Sequence, residues 1–387
     1  MRLNLLALNV SLLLIGQFFI STFLAILGNP VPISFFTYLL CSALIFFGLV
    51  SGHKAILNRN FSLSKEMLFF VIILASFFLQ SMGTYPQDKL VLVCYLVFTP
   101  LVLIHISVTL SPPEAINDLK RYLKFFSYFS VWWAFSLYIL GFHENYSGES
   151  RITFYGIDNP IWTSRYIAVF VIVLFFTTTS KFKLLFWVTT LVAVYLMIQT
   201  GTRSSFLAVA VALLLSFGKR VISAKTFFIL IILIVFSYFL MVYVGGRLSI
   251  GGAEYSIIAR TTAYNEALMY IANQPWTGYG FGNYSIVTTG VDERNYPHNL
   301  LIEIVFELGL FAGVLCMLYI FIMLRKKMSG LECLYAIFVF HLVNSFFSGD
   351  FQGNNLLFIS GYILSGVYCS LKRGESRVDF VSNYNGK

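Results

Sequence analysis

Residues 299–324 read NLLIEIVFELGLFAGVLCMLYIFIML and run directly into Arg325-Lys326-Lys327. Apart from Glu303 and Glu307 the stretch carries no charge, and it exceeds the roughly 20 apolar residues a helix needs to cross a bilayer. Working outward, similar apolar runs bounded by charge or turn residues fall at 3–27, 31–51, 67–81, 90–110, 124–142, 161–180, 184–199, 205–218, 226–244, 331–348 and 355–371. The sequence therefore predicts an all-α, polytopic integral membrane protein of about twelve transmembrane helices, with residues 1–387 forming one membrane domain. Composition agrees: 58% of residues are hydrophobic and 11% charged, against about a quarter charged in soluble domains. The N-terminal run resembles the start of a signal peptide, but it reaches Leu27 with no small-x-small cleavage site, so it is expected to stay as the first span. Cys41, Cys94, Cys316, Cys333 and Cys369 all fall inside expected helices, which argues against disulfides and a cysteine metal site.

The basic residues set the expected orientation. With Met1 inside, most of the 26 Lys and Arg share one side, at Lys54, Arg59 and Lys65; Lys120, Arg121 and Lys124; Lys181 and Lys183; Lys219, Arg220 and Lys225; Arg325 to Lys327; and both termini. This is the positive-inside pattern. It places both termini in the cytoplasm and makes the +9 net charge a topogenic signal, with no nucleic-acid partner implied. The irregular sequence lies on the other side, in 143–160, 200–204 and a long extracytoplasmic loop at 245–298. Loops of that length are uncommon and usually functional. Within it, Gly245-Gly246-Arg247 and Gly251-Gly252 are flexible punctuation. Ile258 to Asn273 reads as a short amphipathic helix anchored by Ile258, Leu268 and Ile271 and ended by Pro275.

On that outer side the basic residues are mostly arginine: Arg151, Arg165, Arg203, Arg247, Arg260 and Arg294. The planar guanidinium fork binds phosphate or carboxylate bidentately, whereas lysine is a compact point charge. The set suits an anion held in a defined pose, although each arginine could instead pair with an outer acid such as Glu149, Glu254 or Asp292. Arg203 sits in Gln199-Thr200-Gly201-Thr202-Arg203-Ser204-Ser205, a polar turn between two spans. Charge so close to the membrane is costly unless paired or functional, and the following helix start offers backbone N–H groups to an anion. His298, in Tyr296-Pro297-His298-Asn299, is placed to act as a base near neutral pH, with its pKa pushed down by neighbouring arginines. The alternative is that it merely caps the helix. Glu303 and Glu307 lie one helical turn apart on one face, where Glu307 could orient a catalytic group or pair with an arginine, or both could serve a structural ion pair. The run Gly278-Tyr279-Gly280-Phe281-Gly282-Asn283 lacks the context of a dinucleotide fold. It implies close backbone approach, an anion nest or a turn, with Trp276, Tyr279, Phe281 and Tyr284 offering faces for sugar stacking or membrane-interface contact. His105 and His341 fall within spans and read as packing residues; Asp350 is an outer-turn acid with no strong claim.

Together these features resemble the O-antigen polymerase and ligase superfamily of bacterial surface-glycan assembly. The likeness rests on Thr200-Gly201-Thr202-Arg203-Ser204-Ser205, on Arg260 through Asn273-Gln274-Pro275-Trp276-Thr277-Gly278-Tyr279-Gly280-Phe281-Gly282-Asn283-Tyr284, and on His298-Asn299-Leu300-Leu301 followed by Glu307-Leu308-Gly309-Leu310. Arg151 with Asn159-Pro160 forms a weaker fourth block. The resemblance implies an inverting, metal-independent glycosyl transfer without a cofactor. The donor and acceptor would be undecaprenyl-diphosphate-linked oligosaccharides at the outer face of the bacterial inner membrane. By this likeness Arg203 and Arg260 would hold and neutralise the diphosphate, and His298 would act as base or position the acceptor hydroxyl. Arg151, Arg247, Arg294, Tyr279, Asn283 and Glu307 would contact substrate, with a chain-length regulator and a flippase as further partners. The glycine-rich run and the Pro-His-Asn-Leu block look most like polymerase members. A ligase transferring to lipid A core, and a twelve-helix transporter or flippase, remain the alternatives. The gathering of polar residues on one face favours an outer-face enzyme over alternating access about the midplane.

Overall fold

The computed structural model describes residues 5–28, 83–93, 114–146, 151–157, 159–178, 183–216, 250–351 and 353–385. The expected runs 31–51, 67–81 and 226–244 and most of 90–110 lie outside these residues, as do Arg247, Glu149, Cys41, Cys94 and His105. In chain order the elements are α1 (Leu5–Ser11), a π turn (Leu12–Gly16), α2 (Gln17–Ile26), α3 (Thr84–Val93), α4 (Glu114–Ile139), strands β1 (His143–Asn145) and β2 (Ile152–Phe154), and α5 (Pro160–Thr177). They continue with α6 (Lys183–Gln199), α7 (Arg203–Ser216), α8 (Ile250–Asn273), α9 (Tyr284–Thr289), α10 (Leu300–Leu324), α11 (Glu332–Ser345) and α12 (Asn355–Asn385). The described chain is mostly helical, with β1 and β2 paired antiparallel.

Among the described residues, Pro160–Thr177 and Leu300–Leu324 are long and apolar enough to cross a bilayer, and five shorter apolar helices accompany them. Helix α5 is apolar all round and buried along its whole middle, Ile167 to Leu174, the pattern of a helix surrounded by others. It packs against α4, α6, α7 and α11, and α7 lies along α11. On the outside of the bundle, Leu184, Leu191, Phe311 and Phe321 are exposed, an apolar surface suited to lipid.

The helix starts follow local chemistry. Asn159 Oδ1 accepts from the Ile161 N–H at 2.8 Å, with Pro160 at the first helical position, where its missing N–H costs nothing. The Asn159-Pro160 block is therefore the cap of α5. Helix α8 is longer than the sequence suggests, beginning at Ile250 and passing through Gly251-Gly252 before ending at Asn273 as expected. Its anchors also differ. Ile258 and Leu268 are exposed, while Ala267 is buried, with Tyr270 and Ile271 packed beside it. Counting apolar residues missed this because the side that faces α10 is built from alanine and tyrosine.

Candidate active site

Helix α10 is broken. Gly309 has φ 84° and ψ 172°, a conformation that L side chains rarely adopt, and the break frees backbone groups that the preceding loop satisfies. The Tyr279 N–H donates to Phe306 O and the Gly280 N–H to Glu307 O, both at 2.9 Å, while the Leu310 N–H donates to Pro275 O at 2.8 Å. A Cβ at Gly309 would collide with Trp276 O, and one at Gly278 would meet the Glu307 carbonyl. Two motif blocks far apart in sequence, Pro275 to Gly280 and Glu307 to Leu310, are thus two sides of one junction. The glycine-rich run serves close backbone approach. It is not an anion nest, because the Tyr279, Gly280 and Asn283 N–H groups are spent on backbone carbonyls. Tyr279 stacks on Phe306 at 5.1 Å and donates its hydroxyl to Tyr270 O. Asn283 is buried and donates to Tyr279 O at 2.8 Å. Both side chains take part in this packing.

Beneath the junction lies a buried ion triad. Lys89 Nζ stands 2.6 Å from Glu303 Oε1 and 2.8 Å from Glu307 Oε1, and 4.6 Å from the centre of the Phe281 ring. Glu307 also accepts from the Gly282 N–H, and Glu303 from the Phe351 N–H at 3.1 Å. Of the readings open for Glu307, the geometry matches an ion pair, with a lysine as its partner. Such a cluster ties α3, the loop before α10, α10 itself and the turn after α11 together, since buried charge is tolerated only when paired and hydrogen-bonded.

The arginines gather at the end of the bundle where α5, α7 and α10 begin and α11 ends, and a path of side-chain contacts traces it. Arg151 Nε donates to Thr200 O at 3.1 Å, in the turn that opens α7 at Arg203. Thr202 Oγ1 reaches Pro160 O at 3.5 Å. One turn on, the buried Arg165 donates to Ser348 O at 2.9 Å and Asn344 O at 3.2 Å, so its role is to clamp the end of α11. Asn299 Nδ2 then donates to Phe346 O at 3.3 Å, and the Tyr264 hydroxyl is hydrogen-bonded to the Asn299 side chain. Tyr264 lies one helical turn from Arg260 on α8, so both project from one face. At the opposite end, Lys326 reaches Ser365, Lys327 reaches Leu215 O, and Lys120 approaches Gly330. That end carries mostly lysine, with Arg325 beside Lys326, while Lys89 lies at the arginine end.

His298 stands at the arginine end without capping the helix. The cap is Asn299, whose Oδ1 accepts from the Leu301 N–H at 3.0 Å and the Ile302 N–H at 3.2 Å. His298 has a positive φ of 56°, uncommon for a residue with a Cβ. Its Nδ1 is buried and has no hydrogen-bond partner among the described residues. Burial, and then the charge of Arg260, lower the imidazole pKa below the usual histidine value, with Asp350 opposing. Arg294, by contrast, is engaged with a neighbour: it grips Asp350 through Nε at 3.1 Å and Nη2 at 3.0 Å. Asp292 is occupied by Thr84 and Tyr85 and pairs with no arginine among the described residues. Sequence reading did not single out Lys89, Tyr264 or the weight carried by Asp350. For Lys89 a signal existed, as a lysine on the arginine side facing a carboxylate pair. His143 lies in β1 and stacks on Tyr138 at 5.0 Å, while His341 is buried in α11.

No curated protein matches the chain. Residues 188–317 match a protein family described as O-antigen ligase, a span that includes Arg203, Arg260, His298, Glu307 and both sides of the Gly309 junction. Over that span, about a third of the chain, the protein is similar to the O-antigen ligase and polymerase superfamily, whose members are bacterial integral membrane proteins.

Proposed function

We propose that this protein is a polysaccharide polymerase of the O-antigen type. It transfers a growing glycan from undecaprenyl diphosphate to the next lipid-linked repeat unit at the outer face of the cytoplasmic membrane. The family supports a glycosyltransferase-like activity on lipid-linked polysaccharide. The observation that carries the residue assignment is His298, held off the helix in a left-handed turn with Nδ1 unpartnered among the described residues and Arg260 beside it. A histidine kept neutral in this way is suited to accept a proton.

In the proposed reaction, the acceptor hydroxyl loses its proton to His298 as its oxygen attacks the anomeric carbon of the donor sugar. The bond from that carbon to the diphosphate oxygen breaks on the opposite face, and the electron pair leaves with the diphosphate. Arg203 and Arg260 bind and neutralise that anion as it forms, and such stabilisation is usually the largest catalytic contribution. Arg151, joined to the turn before Arg203 through Thr200 O, supports the same anion site. The outward orientation is part of the proposal and rests on where Lys and Arg together fall along the sequence, read through the positive-inside rule.

Deleting the gene in its host and resolving the surface glycan on a gel tests this. Loss of the ladder with a single repeat unit remaining is the expected result. Bare core with long glycan accumulating on undecaprenyl diphosphate establishes the ligase, the reading favoured by the description of the matched family. An unchanged ladder removes both. Complementation with His298→Ala then tests the base: a full ladder from normally inserted protein overturns that assignment.

A further inference from the structure

We infer that Arg294 is a positioning residue for His298, acting through its ion pair with Asp350 and its contact with Tyr296. This rests on the reading of His298 as the base. Arg294 grips Asp350 with two donors, at 3.1 and 3.0 Å, a bidentate arrangement that fixes orientation as well as distance. The acid is itself immobilised. It is fully buried, its Oδ1 accepts from the Gly353 N–H at 2.7 Å, and its Oδ2 lies 3.5 Å from the Tyr85 hydroxyl. The next residue, Phe351, donates its N–H to Glu303 of the buried triad. Arg294 is thereby tied to the segment that is bonded to the buried triad.

From that anchor the segment runs only four residues to His298. The Arg294 guanidinium lies 5.8 Å from the centre of the Tyr296 ring, and that ring meets the His298 imidazole edge-on at 4.7 Å. Pro297 is buried between them and restricts its own φ. On the far side Asn299 is fixed by Leu301, Ile302 and Phe346. A non-glycine residue in the left-handed region carries strain and persists only where its surroundings over-determine it. Here the surroundings are a pin on each side, and Arg294 is the upstream one. Its side chain is half exposed, but the fork faces Asp350. That separates it from Arg203 and Arg260, which the proposed reaction assigns to the diphosphate.

The test uses the full-length protein in lipid nanodiscs, with the host's lipid-linked repeat unit purified from a deletion strain. Arg294→Ala is expected to lower kcat by about 10²-fold with little change in KM, as when a reacting group is misplaced by about 1 Å. Arg294→Lys keeps the charge and recovers part of the loss, and it serves as the working variant if the alanine protein does not fold. Combined with His298→Ala, either substitution is expected to add no further loss, because both act through one group. A raised KM with kcat unchanged, or full additivity with His298→Ala, overturns the inference and makes Arg294 a substrate contact. A second measurement is independent of transfer: the rate at which diethyl pyrocarbonate modifies His298, followed by mass spectrometry. A several-fold change in either Arg294 variant supports positioning even if the wild-type protein polymerises nothing, in which case the polymerase reading alone falls. An unchanged rate overturns the positioning role.

Discussion

Replacing Lys89 with methionine tests whether the buried triad holds the outer end together. Lys89 Nζ lies 2.6 Å from one carboxylate and 2.8 Å from the other, and all three side chains are almost fully removed from solvent. At these separations, and with an effective dielectric constant of about 20, each attraction is of order 6 kcal/mol. Against it stand the repulsion between the two carboxylates and the lost hydration of three ions, so the intact triad contributes little net stability. Removing the lysine alone is a different matter, because two buried carboxylates are left facing each other without a cation. Breaking such a pair costs about 3–5 kcal/mol, which corresponds to a fall in melting midpoint on the order of 10 °C. The assay is thermal unfolding of the detergent-purified full-length protein, followed by intrinsic tryptophan fluorescence. The triple variant Lys89→Met, Glu303→Gln, Glu307→Gln removes every charge and is expected to recover most of the loss. A single variant that melts with the wild type refutes the reasoning. A triple variant no better than the single assigns the loss to the missing packing of Lys89 over Phe281.

Gly309→Ala is expected to destabilise the protein strongly and reduce the yield of folded material in the membrane, because its Cβ must enter Trp276 O at a positive φ; size-exclusion profiles matching wild type would remove the junction from the account. Asn299→Ala deletes the cap of α10 and is expected to cost about 0.5–2 kcal/mol, read from the same melting curves. If His298 is the base, it must be neutral to act, and its pKa lies below the usual 6.5 because of burial and Arg260. Transfer should therefore fall only as pH drops below that value, and Arg260→Gln should move the acid limb upward toward ordinary histidine while also weakening the donor. A limb unmoved by Arg260→Gln in the pH profile of transfer removes the coupling.

Much of the fold was legible because lipid imposes a simple rule: a crossing helix needs an apolar run, and charge marks its ends. The expected runs 161–180, 184–199, 205–218 and 331–348 became α5, α6, α7 and α11 within a few residues at each end. Where the rule weakens, the reading weakened too. Helix α8 faces α10 with Ala267, Tyr270 and Ile271; of the expected anchors Ile271 packs there while Ile258 and Leu268 do not, and the helix starts earlier than expected. The uninterrupted apolar run of 299–324 also concealed the break at Gly309. A glycine in an apolar helix is common in membranes, and nothing local shows that its neighbours' backbone groups have partners 30 residues upstream.

The candidate site was legible where a residue's chemistry was out of keeping with its position, and illegible where its role depends on a distant partner. His298 and the arginines stood out because ionisable groups beside a membrane span need a reason, and the structure brings Arg151, Arg203, Arg260, Arg294 and His298 to one end. Among them, however, Arg165 is spent on carbonyls of the α11 terminus and Arg294 on Asp350, which residue type alone could not foretell. Tyr279 and Asn283, expected to contact substrate, also take part in the packing at the Gly309 break. The division has a physical basis. A group that must meet a developing charge has to be preorganised before the charge forms, and preorganisation takes more polar residues than the contact itself. At this outer end the triad of Lys89, Glu303 and Glu307, the Arg165 clamp and the Arg294–Asp350 pair hold the backbone. That leaves His298, with its left-handed turn and Nδ1 unpartnered among the described residues, as the group proposed for proton transfer, and on that proposal Arg294→Ala should alter its reactivity without touching the substrate.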